Sequence, residues 1–205
     1  MGFEEARPEY YEGLKIFQKH TNQQDRLKVL LATFFAVLKK EGSNALPTHS
    51  PLRWKDLGCG DGSFTQKVLD ALNENNYPPP FYEGIELDDY FIAAAEKRLQ
   101  SYANIAIKKS SAFNGTLHTD EPCDIVSGFN ALYFAQDLES LREDVKKSLK
   151  PNGLGLFIQN TSLTDKIGQI FTGKNYKEYT ASVSTEVFFP PLPTSVVILS
   201  LGRPT

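Results

Sequence analysis

Asp56-Leu57-Gly58-Cys59-Gly60-Asp61-Gly62 places three glycines in five residues directly after a short apolar run, Leu52 to Leu57. Glycine lacks a Cβ, so such a loop lets the backbone approach a ligand where any side chain would collide. The run before it predicts a strand. Ser63 to Leu72 predicts a helix, with Phe64, Val68, Leu69 and Leu72 recurring at helical spacing on one face. Strand, glycine turn and helix begin a βαβ unit. In a parallel sheet built from such units, ligands bind beyond the carboxyl ends of the strands, where the strand order reverses.

The same alternation continues downstream. Pro78-Pro79-Pro80 forbids helix and delivers the chain to a second strand, Phe81 to Leu87. Asp88 or Asp89 caps a helix whose stripe is Phe91, Ile92, Ala95 and Leu99. Strands follow at Asn104 to Lys108 and at Asp124 to Gly128. Asp137 caps a helix running through Leu149, which Pro151-Asn152-Gly153 ends before a fifth strand from Gly155 to Gln159. Strands alternating with helices predict an α/β fold, a mostly parallel sheet with helices on both faces.

Upstream, Leu27, Leu30, Leu31, Phe34, Phe35 and Leu38 predict an amphipathic helix over Gln24 to Lys40, and the stretch to Pro51 predicts a loop. In the tail, Asp165 to Thr172 predicts helix. Tyr179 to Phe189 and Ser195 to Leu201 predict two strands joined through Pro190-Pro191-Leu192-Pro193. The chain is expected to form one domain, with an N-terminal helical region at 1–50, a ligand-binding core at 51–160 and a short C-terminal part of the sheet at 161–205.

At 205 residues the chain is long enough for one substantial core and leaves little room for a second independent domain. A net charge of −3 supplies no overall basic field for a phosphate backbone, so no nucleic-acid partner is expected. Cys59 and Cys123 stand 64 residues apart, which fits neither a disulfide framework nor a zinc site. His20, His49 and His118 lack metal-ligand spacing, and no metal is expected. No apolar run reaches the ~20 residues that span a bilayer, and the first residues do not read as a signal peptide. These features fit a cytoplasmic protein without a membrane partner. If the last two strands were lacking, an exposed sheet edge would favour dimerisation, which leaves a homodimer open.

A dinucleotide fingerprint requires a third glycine where this chain has Ser63, and a nucleoside-triphosphate loop requires a Gly-Lys-Ser/Thr ending that is absent. What remains is an acidic residue two before the first glycine and glycines at alternate positions. That pattern resembles motif I of class I S-adenosylmethionine-dependent methyltransferases. Ser148-Leu149-Lys150-Pro151-Asn152-Gly153 is similar to the Leu-Lys-Pro-Gly-Gly segment before the fifth strand of that superfamily.

The resemblance implies a Rossmann-like sheet, S-adenosylmethionine as cofactor and S-adenosylhomocysteine as product. It assigns Asp56, Gly58, Cys59, Gly60, Asp61 and Gly62 to the cofactor loop. Glu86, 28 residues beyond Gly58, would hold the ribose hydroxyls; otherwise it is a solvent-facing glutamate at a strand end. Ser111, Ala112 and Phe113 follow strand three, where the family often has an aspartate facing adenine; this chain departs from that pattern. Phe129 and Asn130 follow strand four, beside the transferable methyl in the family, where Asn130 offers a donor and an acceptor.

Tyr10 to Thr21 and Ala131 to Asp137 are similar to corresponding parts of histamine N-methyltransferase. That likeness implies an N-terminal lid over the cofactor and makes Tyr10, Phe17, Tyr133 and Asn130 acceptor-site candidates. Gln23 stands where that family has an acidic residue for the amine, so an amine-like small molecule is expected rather than histamine itself. The implied reaction is in-line attack on the sulfonium methyl, with proximity and orientation worth up to ~7–11 kcal/mol. Two other readings stay open: a non-catalytic S-adenosylmethionine-binding module acting through protein contacts, and a nicotinamide oxidoreductase.

Overall fold

The computed structural model describes residues 31, 34, 35, 50–111, 121–129, 131, 137–158, 176–181 and 196–201. Five strands form one parallel sheet: β1 (Arg53–Leu57), β2 (Phe81–Glu86), β3 (Ile105–Lys109), β4 (Cys123–Phe129) and β5 (Leu149–Ile158), in the order β3-β2-β1-β4-β5. Between them run α1 (Ser63–Glu74), α2 (Asp89–Leu99) and α3 (Leu138–Ser148). The path from β1 to β2 moves one way across the sheet, and the path from β4 to β5 moves the other. Right-handed crossovers then require α1 and α3 to lie on opposite faces. The point of reversal lies between β1 and β4, where the glycine loop leaves the sheet.

Strand parity builds the two cores. Trp54, Tyr82 and Ile125 are register partners, and they share a buried cluster with Phe64, Val68, Leu69 and Leu72 of α1, Leu99 of α2, and Phe34. Phe34 is helical and fully buried, so at least this residue of the expected N-terminal helix belongs to the core. Its ring lies 5.7 Å from Trp54 and 5.9 Å from Phe64. Leu57, Val126 and Phe157 are buried outside that cluster, as are Leu141 and Val145 of α3.

Helix starts follow the expected chemistry. Asp88 accepts hydrogen bonds from the N–H groups of Tyr90 and Phe91, and Asp137 from those of Glu139 and Ser140. Asp89 instead occupies the first turn of α2 and pairs with Lys109.

Two expectations need correction. α3 ends at Ser148 rather than Leu149, and β5 begins at once, so Pro151-Asn152-Gly153 lies inside the strand instead of ending the helix. The register passes from Cys123↔Leu149 to Ile125↔Leu154, which makes the segment a large bulge. Proline is tolerated there because a bulged residue forms no ladder bond. In the tail, β6 covers Tyr176–Ala181, starting earlier than expected, and pairs antiparallel with β7 (Val196–Leu201). β7 runs beside β5, so the chain supplies a strand pair at that side of the sheet. The helix expected at Asp165 to Thr172, the proline segment 190–193 and most of residues 1–50 lie outside the described residues.

Candidate functional site

The loop after β1 is held in left-handed backbone at three positions: Gly58 at φ 72°, Gly60 at φ 58° and Gly62 at φ 73°. An L side chain is strained in that region. The glycines also differ in what surrounds them. A Cβ at Gly58 would stand 2.8 Å from the Cβ of Ala131, and one at Gly62 would stand 3.2 Å from Leu99. Among the described residues, a Cβ at Gly60 would meet nothing within 4 Å. Gly58 and Gly62 are therefore needed for packing, whereas Gly60 faces open space.

Most of the loop's donors are already committed. Gly58 and Cys59 donate their N–H groups to the carbonyl of Ile85, at 2.8 and 3.1 Å, and Gly62 donates to the carbonyl of Cys59. Gly60 donates to Glu86 Oε2 at 3.0 Å. A phosphate cradle works through converging unpaired N–H groups at a helix N-terminus. Here that position holds a carboxylate: Asp61 accepts from the Ser63 N–H at 3.1 Å and the Ser63 hydroxyl at 2.7 Å at the start of α1. The donors a pyrophosphate would use at the helix start are thus taken, which argues against both nucleotide readings on geometry as well as sequence.

Asp61 is also clamped from α2. Arg98 donates Nε–H to the Asp61 carbonyl at 2.9 Å and pairs through its guanidinium with the Asp61 carboxylate at 3.0 Å. Sequence reasoning missed this clamp because Arg98 reads as an ordinary basic residue in the last turn of a helix.

Glu86, buried at the end of β2, accepts the Gly60 N–H on Oε2 and the N–H groups of Leu87 and Asp88 on Oε1, at 2.7 and 3.1 Å. It is not a solvent-facing glutamate. A carboxylate offers about four acceptor positions. Three are used, so Oε2 retains capacity for a ligand hydroxyl beside Gly60.

Asp56 is placed differently from the rest of the loop. Its carboxyl is fully buried beneath it, with Oδ1 accepting from Ser127 at 2.7 Å and Oδ2 within 3.3 Å of the Tyr82 hydroxyl and 3.5 Å of the Thr65 hydroxyl. Burial pushes its pKa up to about 6 against the opposing hydrogen bonds from Ser127, Tyr82 and Thr65. Its carboxylate is thus committed to protein groups. Cys59 is likewise inert: burial drives its thiol far above the ordinary range, reinforced by the nearby Asp56 and Glu86.

Phe129 ends β4 with its ring centroid 3.9 Å from that of Phe64 and 6.4 Å from that of Phe34. Ser111 follows β3, and Ser110 donates its N–H to the Glu86 carbonyl at 3.0 Å. The carboxyl ends of β1 to β4 thus converge on Gly60, Glu86, Ser111 and Phe129. Ala112, Phe113, Asn130, Tyr133, Tyr10 and Phe17 lie outside the described residues. Among the described residues no cluster of His, Cys, Asp and Glu is arranged to hold a metal, and no helix is long and apolar enough to cross a membrane.

Residues 56–154 match a protein-family model described as a methyltransferase domain. Over this stretch, just under half of its length, the chain is similar to a methyltransferase domain. The match begins at Asp56 and ends within the bulge of β5, so it covers the loop, Glu86 and the strand-order reversal. The spare Glu86 acceptor beside Gly60 fits a ribose diol, as S-adenosylmethionine would present.

The chain is 30% identical over 118 residues to the highly reducing polyketide synthase rstn3 of Aspergillus nomiae, a match covering 54% of this chain and 5% of the synthase. In fold it is similar to the CurJ carbon methyltransferase, with a TM-score of 0.66 and 15% identity over 87% of this chain and 54% of that one. It is also similar to the N-methyltransferase NodS of Bradyrhizobium japonicum, with a TM-score of 0.65 and 15% identity over 89% of this chain and 97% of that one. The chain thus spans a small fraction of the length of the synthase it matches.

Proposed function

We propose that this chain transfers the methyl group of S-adenosylmethionine to a small-molecule acceptor. The observation that supports this most is the coupling of the loop to β2: Gly60 donates to Glu86, and together they present an open backbone beside a part-filled carboxylate. In the proposed site Glu86 holds the ribose, Gly60 admits the cofactor's amino-acid portion, and Ser111, Ala112 and Phe113 flank the adenine.

The bound cofactor supplies an electrophilic methyl on a sulfonium. The chain supplies position and dryness. Phe129, backed by the buried Phe64 and Phe34, forms an apolar wall at the end of β4, and Asn130 follows it directly with an amide to orient the acceptor atom. An amine must be neutral to attack, and desolvation against such a wall lowers its pKa. Alignment in a near-attack geometry then carries most of the acceleration, without a strong base.

For the acceptor atom we favour nitrogen, on the residues Tyr10, Phe17, Tyr133 and Asn130. The likeness to histamine N-methyltransferase concerns residues outside the described ones, and neither methyltransferase structure compared above is of that kind. A carbon acceptor is the second reading, supported by the activity in the name of CurJ.

Incubation with methyl-labelled S-adenosylmethionine and panels of amines, phenols, carboxylates and acidic carbon compounds tests the proposal. Label in an amine is expected, label in a carbon acid selects the second reading, and tight cofactor binding without transfer to any small molecule, peptide or RNA would leave a binding module.

A further inference from the structure

Beneath the loop lies a buried polar cluster. Trp54 Nε1–H donates to Ser127 Oγ at 2.7 Å, and Ser127 donates to Asp56 Oδ1 at 2.7 Å. On the other carboxylate oxygen, Tyr82 and Thr65 stand 2.9 Å from each other. The Tyr82 hydroxyl also faces the loop: a Cβ at Gly84 would stand 2.9 Å from that oxygen and 2.8 Å from the Cys59 sulfur. Gly84 is therefore needed so that the hydroxyl can reach up beneath Cys59. The members come from β1, the loop, α1, β2 and β4.

Hydrogen counting shows how the cluster closes. Asp56 Oδ2, the Tyr82 oxygen and the Thr65 oxygen form a triangle with three edges but only two hydroxyl hydrogens. The 2.9 Å edge takes one hydrogen, which leaves a single donor for the carboxylate at 3.3 or 3.5 Å. Removing either hydroxyl ends the Tyr82–Thr65 bond and leaves the other to reach Oδ2 alone, over 3.3 or 3.5 Å. Buried polar groups are a poor way to gain stability, since apolar side chains of similar volume do at least as well. A positional role explains their placement under the loop.

We infer that Tyr82 and Thr65 are positioning residues for cofactor binding, their paired hydroxyls fixing Asp56 and Cys59 so that Gly60 and Glu86 stand where the cofactor needs them. The inference rests on the proposed S-adenosylmethionine site. A net hydrogen bond is worth ~0.5–1.5 kcal/mol, so loss of one is expected to weaken binding by about two- to tenfold.

The test is titration calorimetry with S-adenosylhomocysteine on the full chain and on the Tyr82→Phe, Thr65→Val, Thr65→Ser and Tyr102→Phe variants, each with its melting temperature. Tyr82→Phe and Thr65→Val are expected to lose about two- to tenfold in affinity while still folded at the assay temperature. Thr65→Ser keeps the hydroxyl and is expected to bind like the parent. Tyr102→Phe removes a hydroxyl bonded to Asp70, away from the loop, and is expected to lower stability at most. Parent-like affinity in both Tyr82→Phe and Thr65→Val would overturn the inference and leave the site intact. Equal losses in Thr65→Ser and Thr65→Val would also overturn it, because packing rather than the hydroxyl would then matter. If Tyr82→Phe does not fold, the Thr65 pair decides. A parent chain that fails to bind would instead overturn the site.

Discussion

Asp56 carries its charge at the base of the loop, and that has a measurable pH signature. Its pKa is pushed up to about 6 from the ordinary 3.8 by burial, so the folded chain binds its proton more tightly than the unfolded chain does. The contribution is fully present below pH 3.8 and lost as pH rises through about 6, a difference on the order of 3 kcal/mol. Asp56→Asn keeps the acceptor for Ser127 and adds donors for the Tyr82–Thr65 side. Its melting temperature is expected to equal or exceed the parent's near pH 7.5 and to lack the parent's relative gain between pH 7 and pH 5, as thermal melts across that range would read. Glu83 works in the opposite sense: burial raises its pKa, but Lys108 and Lys55 more than offset this, so its contribution is lost as pH falls. The glycines separate packing from binding. Gly58→Ala sets a methyl 2.8 Å from Ala131 as well as straining the backbone, and is expected to destabilise by more than the ~1–2 kcal/mol of backbone strain alone. Gly60→Ala bears the strain without a clash, so the same melts should rank it as the milder variant, with cofactor affinity falling further than stability.

At the scale of elements, Lys150 shows what a family-like segment does physically. Its ammonium lies 2.8 and 2.9 Å from the two oxygens of buried Asp124, at the amino end of β4 and away from the loop. Lys150→Ala is expected to lower stability by ~1–3 kcal/mol while cofactor affinity stays within about twofold, as denaturant unfolding and calorimetry together would show. How far the elements were legible follows from their local signals. α1 and α2 follow from helical spacing and α2 and α3 from an Asp at the N-cap, so their starts were readable from single residues. β5 was misplaced because Pro151-Asn152-Gly153 carries the local signature of a chain break. Only its pairing with β4, between residues far apart in sequence, makes it a bulge. The same limit hid the cluster under the loop. Thr65 and Ser127 interrupt apolar patterns, which marks them as unusual, but nothing local says that both reach Asp56. Asp56 itself was assigned to the cofactor because a motif gives a residue's position along the chain and not the direction of its side chain. Arg98 was missed for the same reason.

For the whole molecule, the strand order β3-β2-β1-β4-β5 turns a local glycine motif into a site. Chain reversal between β1 and β4 opens the crevice. Right-handed crossovers clear both faces for helices, and the loop then meets Glu86 because β2 is the neighbour of β1. The sequence reached the same fold through motif I and the Leu-Lys-Pro segment, and the structure adds an argument against a phosphate in the loop: most of its N–H groups are used and Asp61 occupies the helix start. The claim that this crevice selects S-adenosylmethionine through Glu86 is tested most directly by titration calorimetry. S-adenosylhomocysteine and NAD would each be titrated into the full chain and into Glu86→Ala. The expected result is binding of S-adenosylhomocysteine, no measurable heat with NAD, and a loss of about tenfold or more in Glu86→Ala, from hydrogen bonds to a charged group worth ~1.5–3 kcal/mol. Binding of NAD in preference, or S-adenosylhomocysteine affinity unchanged in Glu86→Ala, would contradict the account.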